Sequence, residues 1–174
     1  MKSKLAALAV ALAFGPAAFG QFTVTLSRVH VCCTSCVKGV DRATAYIGGV
    51  VAKCDSDAGT VTITAPDTAT AQKAVDAIVG AGFFGAASDR AIKLDATSGA
   101  PDGFVESLMV RGVHLCCQDC VDAVNGALAR VPGVKANTAR KSAATFEVTG
   151  NFNAKEVFSA LQQAGLAGKA GKSQ

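Results

Sequence analysis

Apolar and polar residues alternate at Phe22, Val24 and Leu26, and again at Leu108 and Val110. That is the two-residue period of a half-buried strand. The period then changes. Val37, Val40 and Ala43/Thr44 fall at helical spacing, as do Val121, Val124 and Leu128, predicting helices over Ser35–Tyr46 and Asp119–Val131. Gly48-Gly49 and Pro132-Gly133 stop them. Strands are predicted over 50–54 and 134–138, then over 60–64 and 145–149. A second helix starts near Asp67 and near Asn153, whose short polar side chains can cap its N-terminus. Its apolar stripe is Val75, Ile78 and Val79 in one case and Val157, Phe158 and Leu161 in the other. A short last strand follows Gly82 and Gly165.

The order is βαββαβ, written twice. It predicts an α+β chain of two tandem ferredoxin-like domains, each a four-stranded antiparallel sheet with two helices on one face. The residues carry the repeat directly. Val29-His30-Val31-Cys32-Cys33-Thr34-Ser35-Cys36-Val37 matches Val113-His114-Leu115-Cys116-Cys117-Gln118-Asp119-Cys120-Val121 at an offset of 84. The offset slips to 85 at Val61 against Phe146 and is 83 at Gly82 against Gly165. The slips predict small insertions and deletions in turns, with one extra residue in the second hairpin. The first domain is assigned to 21–88, a linker to 89–103, the second domain to 104–170 and a tail to 171–174. Each repeat, at about 70 residues, is close to the lower limit for a self-sufficient core.

Residues 1–20 have a different character. Lys2 and Lys4 precede an apolar run from Leu5 to Phe14, Gly15-Pro16 breaks it, and Ala18-Phe19-Gly20 sets small residues before Gln21. This is the pattern of a secretory signal peptide, and the run is shorter than the ~20 residues that span a bilayer. The expectation is an exported protein, periplasmic or secreted, with no membrane span in the mature chain.

Hydrophobic residues make up 50% of the 174 and charged residues 17%, a globular balance. There is no Trp and one Tyr, which leaves little for an aromatic sugar or base platform. The net charge is +4. Without Lys2 and Lys4 it is about +2, too little for counterion-driven binding to nucleic acid.

Six of the seven Cys and both His sit in the two matched loops. Folding alone does not require that concentration. A Cys-x-x-Cys pair at a helix start brings two sulfurs to an N-terminus, where the thiolate is favoured. Thiolates are soft ligands for Cu(I), Zn²⁺ or Hg²⁺. Cys33 with Cys36 and Cys117 with Cys120 are the primary candidate ligands. Cys32 and Cys116 add a third sulfur to each loop. His30 and His114 stand two residues before them, on the same strand face. Cys54 has Thr138 as its counterpart and is given no role.

These loops resemble the heavy-metal-associated domain family, the small βαββαβ modules of copper chaperones, metal-pumping ATPase N-termini and the periplasmic mercury-binding protein. The family loop is Gly-Met-x-Cys-x-x-Cys. Val31 and Leu115 occupy its buried Met position, and His30 and His114 stand where the family has Gly. The resemblance implies a last-loop residue that shields the metal, matched by Phe83 after Gly82 and, approximately, by Leu166 after Gly165.

The leading expectation is a non-enzymatic protein that captures or passes on Cu(I) through one Cys-rich loop per domain. Zn or Hg are the alternative ions, and the expected partner is a metal-donor or metal-acceptor protein. A thiol–disulfide redox protein using the Cys-x-x-Cys pairs is the alternative function, and an interaction scaffold with structural disulfides a third.

Overall fold

The computed structural model describes residues 20–171. The export-signal expectation, apart from Gly20, and residues 172–174 of the expected tail lie outside them. The first half runs β1 (Phe22–Ser27), α1 (Thr34–Thr44), β2 (Val51–Asp55), β3 (Thr60–Ala65), α2 (Thr68–Gly80) and β4 (Ala86–Ala87). The second half repeats it as β5 (Phe104–Arg111), α3 (Gln118–Leu128), β6 (Val134–Asn137), β7 (Thr145–Asn153), α4 (Ala154–Gln163) and β8 (Lys169–Ala170). Two four-stranded sheets result, ordered β2-β3-β1-β4 and β6-β7-β5-β8, with every pairing antiparallel. This is the expected ferredoxin-like arrangement, twice.

Alternation along the strands sets which face is covered. Val61, Ile63 and Ala65 of β3 are buried, while Thr60, Thr62 and Thr64 lie on the other face. On that open face the hydroxyls of Thr25 and Thr62 stand 3.1 Å apart. The buried face receives Ala71, Ala74, Val75, Ile78 and Val79 of α2. In the second repeat Phe146, Val148 and Phe152 meet Val157, Phe158 and Leu161. Asp67 accepts a hydrogen bond from the Thr70 N–H and Asn153 one from the Lys155 N–H, so both expected caps form. Phe146→Ala opens a cavity in the second core and is expected to cost about 3–5 kcal/mol. The midpoint of urea unfolding measures it.

Three details differ from the sequence expectations. Val37 of α1 is only half-buried, and the buried positions are Cys36, Gly39, Val40 and Thr44. The helix is rotated to bring Cys36 inward. Next, the extra residue of the second repeat is not in its hairpin turn. Val134 pairs with Gly150 and Ala136 with Thr149, so Lys135 is accommodated as a bulge in β6. The later fall in offset arises in helix length: the N-caps Asp67 and Asn153 are 86 apart, α4 is three residues shorter than α2, and Gly82 and Gly165 are 83 apart.

The 89–103 segment is pinned rather than loose. Ile92 is buried. Gln72 clasps the backbone of Lys93, accepting from its N–H at 2.8 Å and donating to its carbonyl at 2.7 Å. Ser98 accepts from the N–H of Ala170, and Ala96 from the side chain of Gln162. The segment therefore holds α2 of the first repeat and both α4 and β8 of the second.

Candidate metal centre

The two cysteine loops face each other. Each loop ends at the N-cap of a helix, Cys33 for α1 and Cys117 for α3, both with extended backbone and no side-chain cap bond. Val31 and Leu115, buried behind the loops, anchor them to their own cores. The positive ends of two helices are thereby aimed at the sulfurs, each equivalent to about half a charge.

Six sulfurs form one group. Nine sulfur–sulfur separations lie between 3.4 and 3.8 Å, and five of them cross between the repeats. The shortest is Cys32 to Cys117 at 3.4 Å, and its mate under exchange of the repeats is Cys33 to Cys116 at 3.7 Å. Cys36 and Cys120, fully buried, meet at 3.8 Å across the centre. Cys32, Cys33, Cys116 and Cys117 are half-buried around them, and all six are free thiols.

Backbone pairing closes the two repeats on each other. Phe83 and Leu166 form an antiparallel bridge. Phe84 N–H donates to the Gly165 carbonyl at 3.0 Å, and Ala167 N–H donates to the Gly82 carbonyl at 2.9 Å. His30 N–H also donates to Gly165. The residues matched to the family's shielding position thus sit, fully buried, at the joint between the repeats.

The histidines reach across this joint. The His114 ring packs on Phe83 of the other repeat with centroids 4.4 Å apart. A Cβ on Gly39 would lie 2.8 Å from His114 Cε1, so the glycine inside α1 makes room for that ring. Sequence reasoning missed Gly39; the signal available was a glycine in a helix interior where the second repeat has Ala123. Nε2 of His30 and of His114 are both buried with no hydrogen-bond partner. Such groups are costly unless something binds them.

The charges are those of a crowded thiol cluster. Hydrogen bonding from Cys120 holds the Cys36 thiol far below its ordinary range, down to about 2. Cys120, which gives that bond, is raised correspondingly, with burial adding to the effect. Cys32 and Cys116 are raised, first by burial and then by hydrogen bonds to neighbouring sulfurs, Cys117 and Cys36 for the former and Cys36 and Cys33 for the latter. Cys117 is lowered: burial opposes its ionisation, but bonds to the Cys120 backbone and to neighbouring sulfurs prevail. Burial lowers His30, favouring the neutral ligand form. Cys54 is outside the group and is pushed up to about 11, mainly by burial.

Four sets of three ligand atoms lie close enough to hold an ion. They are His30, Cys32 and Cys120; Cys32, Cys33 and Cys117; Cys33, Cys36 and Cys116; and Cys116, Cys117 and Cys120. The donor set suits a soft ion: sulfurs set tetrahedrally about one ion at about 2.3 Å stand about 3.8 Å apart. Seven of the eight candidate ligands therefore gather in one place instead of two, and His114 belongs to none of the four sets.

No protein-family model matches the chain, and no curated protein matches it. Among solved structures, the chain is similar to the N-terminal soluble domains of Bacillus subtilis CopA in solution, at 16% identity and a TM-score of 0.30. That match covers 89% of this chain and 97% of the other. Among the described residues no helix is long and apolar enough to cross a membrane. The chain carries a doubled ferredoxin-like fold with a six-thiol cluster able to bind metal between its halves.

Proposed function

We propose that the chain is an exported, non-enzymatic protein that captures a soft metal ion, Cu(I) before Zn²⁺ or Hg²⁺, and passes it on by thiolate exchange. The observation that carries this reading is the packing of six free thiols between two helix N-termini, beside two unpartnered imidazoles. Thiolates favour soft ions, Cu(I) among them, and also take Zn²⁺. The resemblance of both loops to the heavy-metal-associated family supports the same reading. Exchange with a donor or acceptor protein would proceed at the half-buried sulfurs, because Cys36 and Cys120 are sealed.

Competition against a chelator specific for Cu(I) tests the proposal. Retention of copper by the reduced chain supports it, and complete loss to a weak chelator contradicts it. Binding must also displace protons from the raised thiols of Cys32, Cys116 and Cys120. Loading near neutral pH is therefore expected to release protons, and affinity is expected to fall as pH falls. Proton release into a weak buffer, followed with an indicator dye, measures this.

One observation favours the redox alternative: the closest sulfurs, Cys32 and Cys117, lie 3.4 Å apart and belong to different repeats. Oxidation of the metal-free chain would join them or close Cys33 to Cys36. Bound metal occupies the same sulfurs. Metal-loaded protein is expected to lose free thiols to oxidised glutathione at least tenfold more slowly than metal-free protein. Equal rates would shift the balance to the redox reading.

A further inference from the structure

We propose that the six cysteines hold one polynuclear Cu(I)–thiolate cluster shared by both repeats, with His30 completing its ligand set. This rests on the metal-binding reading above and specifies the form in which the metal is held. The ligand bookkeeping carries it. Cys32, Cys33, Cys116, Cys117 and Cys120 each belong to two of the four three-atom sets, which is the arrangement of a bridging thiolate. Cys36 belongs to one, and His30 supplies the remaining position. Six sulfurs that each bridge two ions make about twelve metal–sulfur bonds, enough for about four three-coordinate ions. The four sets correspond to those four ions, with His30 replacing one sulfur contact.

Separate mononuclear sites fit the geometry less well. An independent pair would need Cys33 and Cys36 nearer to each other than to the other loop. Instead they stand 3.8 Å apart, while Cys36 to Cys116 is 3.5 Å and Cys33 to Cys116 is 3.7 Å. The sets that join Cys33 and Cys36 to Cys116, and His30 to Cys120, both cross the joint. Charge leads the same way. Six thiolates alone would place about −6 in a half-buried space, whereas about four Cu(I) ions reduce this to about −2, facing two helix N-termini. Neither of the ion pairs in the described residues, Lys155–Asp102 and Lys169–Asp95, lies in the cluster. Loading involves no change of oxidation state: each sulfur that is still protonated releases its proton to solvent, and every sulfur bonds to Cu(I).

Bridging makes filling cooperative, since each ion bound fixes sulfurs that the next ion uses. The test is native mass spectrometry of the reduced full chain during stepwise addition of Cu(I). The expected spectrum passes from the metal-free chain to a species with about four ions, with the intermediates each a minor fraction. His30→Ala is expected to weaken retention of the last ion at least tenfold against a Cu(I) chelator while Cys54→Ser leaves it unchanged. Circular dichroism confirms that both variants are folded. Saturation at two ions through a dominant one-ion species would overturn the shared cluster while leaving metal binding intact. Failure to retain any Cu(I) would overturn both readings. An unchanged last-ion affinity in His30→Ala would remove the histidine from the ligand set.

Discussion

Gly82→Ala with Gly165→Ala is expected to open the joint between the repeats and reduce bound Cu(I) to the level of two separate loops. Both glycines have positive φ, 95° and 82°. A Cβ at Gly82 would lie 2.4 Å from His114 N and 2.6 Å from the Gly112 carbonyl oxygen. A Cβ at Gly165 would lie 2.5 Å from both the Arg28 carbonyl oxygen and His30 N. Every one of these atoms is backbone of the other repeat, so no side-chain rotation can relieve the contact. The cross-repeat bonds to the Gly82 and Gly165 carbonyls would be lost together. No cysteine is altered. Gly112→Ala is the control: its φ is 76°, but nothing lies within 4 Å of the added Cβ. It carries the left-handed strain of about 1–2 kcal/mol without the clash. The double variant should show a larger radius of gyration by X-ray scattering and at least a twofold drop in copper per chain. The control should show neither.

Cys32→Ser, Cys33→Ser and Cys36→Ser together separate shared from independent binding by arithmetic. Independent loops would retain half the copper. In the shared arrangement Cys116 loses both partners of its cross-repeat set, Cys117 loses Cys32 and Cys33 from another, and the His30–Cys120 set loses Cys32. Of the four sets, the one left complete is Cys116, Cys117 and Cys120. Copper retained after gel filtration is therefore expected to fall to well under half of the wild-type amount. Retention of half would show that the loops fill separately.

The strands, helices and caps were legible because they depend on local pattern. Phe22, Val24 and Leu26 alternate, and Asp67 and Asn153 cap. The eight candidate ligand positions stand out in the sequence because the chain's two His and six of its seven Cys recur in register. The meeting of the loops was not legible. It is made largely by main-chain groups, the carbonyls of Gly82 and Gly165 and the Phe83–Leu166 bridge, which leave no side-chain signature. Gly39 was the one exposed clue, since an interior helix glycine is unfavourable by about 0.8–1 kcal/mol relative to alanine without a reason such as the His114 ring. The Lys135 bulge escaped for a related reason: an offset in sequence says that a residue was added, and only the strand register says where.

The central claim is that both repeats contribute to one metal centre. X-ray absorption fine structure at the copper edge of the fully loaded wild-type chain tests it most directly, because it sees the neighbours of each ion. A sulfur shell near three-coordination together with a short copper–copper vector is the predicted result. Two sulfur neighbours per ion with no copper–copper vector would contradict it.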